Sequence, residues 1–381
     1  MPADQAEPRH VRPTHAITLD TPGNLIAAIP HMLGFYPADS LVAVGMDRGE
    51  TPTAGLVMRV DLPCPAERLT DLAELVTELH NASAAAVALV VVGARGDTPD
   101  GHLPHRDLIA ACEKSLSDSE IPIVHQVWTP VIAAGAQWRC YENADCSGHV
   151  PDPTSTALAA ASAASGLVTY DRREELTARL NPVDDDTLAR RADLLAAFSR
   201  NAEPGGGDPA LRLRLVDQAV DGAVEGVLPE TDEDIAALAF ALSDHAIRDA
   251  CMSYSDPKRA LAAEELWIAL VRGTPAPERA EPACLLAFCA YLRGDGTQAG
   301  IALEQAESAD PGHRLADLAR NALWTGLPPQ RMHKVAATAT AHARRAVAEH
   351  SATTSPSTTD GHHPGASHST QSAPGAARPR P

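Results

Sequence analysis

Aromatic side chains are scarce in this sequence: four Trp, five Tyr and four Phe make up 3% of 381 residues. A core here has to rest on Ala, Leu and Val, which bury less surface each and let elements approach closely. Lysine is nearly missing as well, with Lys114, Lys258 and Lys334 the three present. Arg supplies the remaining positive charge, and together with the heavy use of Ala this suggests a GC-rich genome. Acid outweighs base, 50 Asp and Glu against 31 Lys and Arg, for a net charge of -19. Such a chain repels a phosphate backbone, and no basic run with interleaved aromatics offsets that. Nucleic acid is therefore not an expected partner. No apolar run approaches the roughly 20 residues of a membrane helix, so no membrane is expected either. Met1 to Pro13 lacks the apolar stretch of a secretory signal. The seven cysteines, Cys64, Cys112, Cys140, Cys146, Cys251, Cys284 and Cys289, are odd in number and scattered, unlike a disulfide framework. Reduced thiols and a cytoplasmic location are the expectation.

The pattern of apolar residues predicts an α/β sheet domain over residues 14–150 after a disordered arm at 1–13. A helix opens at Thr21-Pro22-Gly23 and carries Leu25, Ile26, Ile29 and Leu33 on one face. Ser40–Met46 is a short apolar strand, Asp47–Glu50 a turn, and Ala54–Leu62 an alternating strand, which together read as a hairpin. A helix over Glu67–His80 and a strand over Ala86–Gly93 follow, a crossover expected to give parallel strands. A second helix spans about Leu103–Ser117, and Ile121–Val131 is a further strand that Pro122 and Pro130 keep near an edge or bound at its ends. Beyond Pro153 strand signals stop. Residues 151–207 read as a helical connector closing on a hinge at Glu203–Gly207, and residues 208–350 as an all-helical domain whose last helix covers about Gln330–His350. Residues 351–381, rich in Ser, Thr, Pro, Gly and His, are a disordered tail.

Two resemblances bear on identity. Gly294–Ala299, Ala306 and Asp310-Pro311 have the spacing of the second half of a tetratricopeptide repeat, a tetratricopeptide-like helical hairpin, although an ordinary hairpin fits equally well. Motifs along the chain are Leu33-Gly34-Phe35-Tyr36-Pro37-Ala38-Asp39-Ser40-Leu41-Val42, Arg59–Pro63, Trp138–Tyr141 with Cys146, Arg173–Leu176, Tyr291–Gly296 with Asp310-Pro311, and Gly326–Pro329. By these the chain resembles the actinobacterial domain-of-unknown-function family 4192 over about residues 15–330. That resemblance implies kinship and brings no activity with it, and the cofactor is unknown.

Several groups could carry chemistry. Asp39 and Ser40 follow a stiff Gly-Phe-Tyr-Pro turn and could face a ligand or simply cap and turn the chain. Ser40 lacks the G-x-S-x-G setting of a nucleophile. Arg59 and Asp61 share a strand face and could bind a polar ligand or pair with each other. Gly93 and Gly96 lie in a glycine loop at a strand's end, where α/β sheets often hold phosphates, but no Walker or G-x-G-x-x-G motif is present. Cys140, Cys146 and His149 offer zinc-type ligands at C-x5-C-x2-H spacing without an evident fourth, ordinary loop thiols being the plain reading. Cys284 and Cys289 fit as core residues.

Two functional classes follow. One is a non-catalytic adaptor or regulatory protein, with the α/β part as platform and the helical part offering a groove to an unknown protein partner. The other is a small-molecule-binding or hydrolytic enzyme with its site at the C-terminal edge of the strands.

Overall fold

The computed structural model describes residues 21–46, 54–62, 79, 84–93, 102–164, 167–201 and 208–354. The N-terminal arm, the turn at 47–50, the helix expected over 67–80 apart from Leu79, Gly96, the hinge at 203–207 and the tail from residue 355 lie outside the described residues.

Helix α1 (Pro22–Leu33) begins where the Thr21 side chain accepts the Asn24 N–H and Pro22 takes the first helical position. Pro has no N–H to lose there, and its fixed φ suits the first turn. Strands β1 (Ser40–Met46), β2 (Ala54–Asp61) and β3 (Ala86–Val92) follow, then α2 (Arg106–Asp118), β4 (Ile123–Thr129), β5 (Gln137–Cys140) and β6 (Ser147–His149). Among the described residues these strands form one sheet in the order β2-β1-β3-β4-β5-β6. β1 pairs antiparallel with both β2 and β3, while β3 and β4 are parallel neighbours joined through α2.

The expected hairpin of β1 and β2 is present. β2 and β3 run the same way, as a crossover requires, but they are not neighbours because β1 lies between them. β4 is an interior strand that runs between its two prolines, Pro122 and Pro130, so the prolines bound its ends. β5 and β6 were not expected. At four and three residues, QWRC and SGH, they are too short to show an alternating pattern.

The unbroken apolar runs of β1 and β3 have a simple cause: both sheet faces are covered. Leu41, Ala43, Val87, Leu89 and Val91 point to one face and pack with Ile109, Cys112 and Leu116 of α2. Val42, Val44, Ala88, Val90 and Val92 point to the other and pack with Leu25, Ile26 and Ile29 of α1. The two sets interleave residue by residue, as the pleat demands.

Cys140 and Cys146 need a correction. They flank the β5–β6 turn with Cα atoms 5.5 Å apart and are joined by a disulfide rather than standing as loop thiols. The hairpin brings them together, the Cys140 N–H donating to the Cys146 carbonyl at 2.9 Å. Cys112, Cys251, Cys284 and Cys289 form no disulfide.

From residue 157 onward the described elements are helical: α3 (Ala157–Ala164), α4 (Arg173–Ala178), α5 (Asp185–Asn201), α6 (Pro209–Val224), α7 (Asp232–Leu242), α8 (His245–Asp249), α9 (Pro257–Gly273), α10 (Ala280–Arg293), α11 (Gly296–Ala309), α12 (Arg314–Trp324) and α13 (Pro329–Thr354). The last runs four residues past its expected end at His350. Starts are marked by capping side chains. Asp208 and Asp256, each followed by Pro at the first helical position, accept the N–H of Ala210 and Lys258. The core of this part includes Ala263, Ala283, Ala287, Ala290, Ala299, Ala302 and Ala306, all with almost no exposed surface. Such small side chains let α10 and α11 lie close together.

The bridge makes a plain chemical prediction. Alkylation of the denatured protein before reduction should leave Cys140 and Cys146 unlabelled, and both should label after reduction, as read by peptide mass spectrometry. Labelling of both beforehand would remove the disulfide.

Candidate functional site

The register of the sheet sets Ser40 opposite both Asp61 and Val92, so the start of β1 and the ends of β2 and β3 share one edge. Asp39, Ser40, Arg59, Asp61 and Gly93 therefore gather there, while Gly96 lies outside the described residues. The Ser40 hydroxyl donates to the Ala38 carbonyl at 2.7 Å and accepts from Arg59 Nε at 2.7 Å. Arg59 also pairs with the Asp61 carboxylate and lies 5.4 Å from the centre of the Phe35 ring. Gly93 has a φ of 101°, and a Cβ there would come within 2.8 Å of the Asp39 Cα. That close approach, in a left-handed conformation, explains glycine at this position. Behind this edge, burial pushes the His105 imidazole below its usual value, with the Asp39 charge opposing.

Ser40 is thus held by a guanidinium and a main-chain carbonyl, neither of which can take its proton. Arg59 and Asp61 neutralise each other. The edge is organised by its own side chains.

Cys140, Cys146 and His149 are set apart from that group in the strand order, lying by β5 and β6 at the far side of the sheet from β2 and β1. In the bridged state neither sulfur offers the thiolate that zinc requires. His149 is exposed at the end of β6. Among the described residues no group of three or more His, Cys, Asp or Glu is placed to hold a metal ion.

A constellation that the sequence did not suggest lies in the helical part. The Cys284 Sγ is 3.3 Å from His313 Nδ1, and His313 Nε2 is 3.3 Å from Glu281, which also receives Arg248 at 3.1 Å. Sulfur, imidazole and carboxylate stand in the order of a nucleophile, base and acid. Their surroundings argue against that use. Cys284 has no exposed surface, and burial pushes its thiol far above the ordinary range. His313 Nδ1 accepts the Ala316 N–H, which places the ring proton on Nε2, facing Glu281. The imidazole is a helix cap for α12 and ties it to α10 and α8. Cys284 and His313 are 29 residues apart, so no local spacing announces the pair.

A polar cavity of about 130 Å3 lies where the sheet part meets the helical part. Its apolar walls are Leu167, Val168, Leu176 and Leu261, with Tyr170 beside them. Arg293 bridges two carboxylates, Glu264 at 3.1 Å and Asp295 at 3.3 Å. Gln298 Nε2 donates to the same oxygen of Glu264, Oε1, at 2.8 Å. Arg179 pairs with Glu265 at 3.4 Å near the mouth. Burial raises the carboxyls of both Glu264 and Asp295, against the pull of Arg293. Arg293 Nε is buried without an acceptor among the described residues. None of these side chains is a candidate for chemistry in the sequence, although Arg293, Asp295 and Gln298 fall within the motifs that carry the two resemblances. They come from several helices and the turns between them, and nothing in their spacing groups them as a site.

A model of the family described as Domain of unknown function (DUF4192) matches residues 22–330, and the chain belongs to that family. No curated protein and no solved structure matches it.

The Glu281 cluster predicts a pH effect. Burial works against its charge, but the hydrogen bonds from His313 and Arg248, with the Arg248 charge, outweigh this and hold the carboxyl below its usual 4.5. A lowered carboxyl stabilises the fold fully above the unfolded value and less as pH falls through the folded one. Glu281→Gln should cost about 1–3 kcal/mol in urea unfolding near neutrality. The gap to the unaltered protein should narrow below pH 4.5. A gap that stays constant on acidification would contradict this assignment.

Proposed function

We propose that this protein is a non-catalytic regulatory or adaptor protein that offers its helical part to a protein partner, with the α/β part as its platform. The observation that carries the reading is on α6. Its inner face, Leu213, Val216 and Val220, is buried in the helical core. Its outer face still shows Leu211 and Leu215, one turn apart, at 58% and 38% exposure. Apolar side chains on both faces of a surface helix suit a helix that serves two partners, its own core and another chain. Ala299 and Ala306, fully buried in the α10–α11 pair, support reading that hairpin as tetratricopeptide-like, a unit often used to build protein-binding surfaces. The acidic net charge of -19 favours a protein partner over nucleic acid. Hydrolysis at the strand edge is the weaker reading, since Ser40 faces a guanidinium and a carbonyl in place of a base.

Among the described residues no helix is long and apolar enough to cross a membrane. A cytoplasmic location rested in part on reduced thiols, and the Cys140–Cys146 bridge withdraws that argument.

The test is a paired one. The full-length protein, tagged and kept at its natural level in its own cells, should co-purify with a defined protein in constant ratio. Leu211→Asp combined with Leu215→Asp should lose that protein, while stability changes by only about 0.5 kcal/mol per substitution, as for other exposed positions. A chain that purifies without a partner, or a variant that retains it, would contradict the reading of α6.

A further inference from the structure

We propose that the cleft between the end of α2, the start of β4 and the β5–β6 turn is a binding site for a linear aliphatic polyamine, a methylene chain carrying two or three ammonium groups. The inference stands apart from the partner-binding role of α6.

One buried atom points to a ligand. Gln126 on β4 is 4% exposed, and its side chain lines the cleft. Its Oε1 is buried and has no hydrogen-bond donor among the described residues. Gln126 pairs with Leu89 in the sheet and lies two residues before Trp128, so it stands on the sheet face that packs against α2. A buried acceptor with no donor is costly to keep, and a ligand N–H at this point supplies the missing bond. An unmet acceptor asks for a donor, which is what an ammonium group offers.

Charge is the second, independent reason. Glu113 on α2, Glu120 in the turn after it and Glu142 in the β5–β6 turn line the same cleft, and no basic side chain lines it. The His125 imidazole feels the Glu142 charge, but burial pushes it down, so it stays neutral at pH 7 and offsets none of this. Bonds between an ammonium and a carboxylate are stronger than those between neutral groups.

Size and spread choose among cations. The cleft has a volume of about 600 Å3, within the roughly 300–1,000 Å3 usual for small-molecule sites. Among the described residues no group of three or more His, Cys, Asp or Glu is placed to hold a metal ion. The three carboxylates come instead from a helix, a turn and a hairpin, and Ile121, Pro122 and Ile123 add an apolar wall. Separate charges beside an apolar wall match ammonium groups held apart by methylenes.

The experiment titrates the full chain calorimetrically, at about 0.15 M salt so that loose attraction to exposed charge is screened. The ligands are butane-1,4-diamine and the triamine spermidine, with butylamine, butane-1,4-diol and magnesium as controls. Spermidine should bind at one site per chain, tighter than the diamine, and the diamine at least about tenfold tighter than butylamine or the diol. Gln126→Leu removes the amide and, because that amide is unpartnered, should leave urea unfolding close to unchanged. It should weaken spermidine about fivefold or more, as should Glu142→Gln in its exposed turn. Glu230→Gln, an exposed carboxylate outside the cleft, should leave the affinity unaltered. Several weak sites per chain, a diol that binds as well as the diamine, magnesium that displaces spermidine at equal concentration, or an affinity unmoved by both Gln126→Leu and Glu142→Gln would overturn the proposal. So would the absence of saturable binding at about millimolar ligand.

Discussion

Two main-chain hydrogen bonds hold the sheet part to the helical part. The Tyr170 N–H donates to the Gly34 carbonyl at 2.8 Å, and the Tyr36 N–H donates to the Tyr170 carbonyl at 3.0 Å. They require Gly34 to end α1 in a left-handed conformation, φ 78°, so that Phe35 can lie beside Tyr170 as a strand would. His31 reinforces the seam. Its Nε2 donates to the Pro153 carbonyl at 3.0 Å, and its Nδ1 accepts the Thr169 hydroxyl at 2.9 Å, a pairing met by the neutral Nε2–H tautomer. Tyr170 then packs against both the α1 side of the sheet and the helical core. The cavity owes its walls to this seam, because Gly34, Tyr170 and the segment before it make up its sheet-side lining.

Few aromatics and many alanines shape how the helical part is stabilised. Each Ala–Ala contact gains little by burial, so specificity has to come from elsewhere. It comes from polar groups placed between helices. Arg344 makes two bonds to Asp217, at 2.8 and 2.9 Å, and a third to the Ala250 carbonyl, which fixes α13 against α6 and the end of α8. Arg191 joins α5 to Asp232 and to the Gly273 carbonyl. Buried or half-buried arginines of this kind contribute more to choosing one arrangement than to net stability. The near absence of lysine is consistent with this use, since a guanidinium can hold a carboxylate and a carbonyl at once.

The legible and illegible features of the sequence differ by distance along the chain. β1, β2 and β3 are written in runs of apolar or alternating residues, and α1 in a cap, a proline and a stripe. Each of those signals is local, and each matches an observed element. β5 and β6 carry no local pattern, and the disulfide follows from them. The candidate residues at the sheet edge were found by strand position, and pairing register brings them together. The sequence leaves the pairing of Arg59 with Asp61 as one alternative, because residues two apart share a strand face. The Cys284–His313–Glu281 series and the cavity groups have no such trace. Glu264 and Arg293 are 29 residues apart and Arg179 and Glu265 are 86 apart, separations set by how helices stack. Packing, and not periodicity, determines which of them meet.

The seam is the contact on which the joining of the two parts depends, and native-state hydrogen exchange tests it most directly. The amides of Tyr36 and Tyr170 should be protected to about the same degree as those of β1 and β3, since an unfolding that opens the seam would also open both cores. Exchange at these two amides as fast as in exposed turns, while β1 and β3 stay protected, would show that the two parts separate freely and that the cavity between them has no lasting walls.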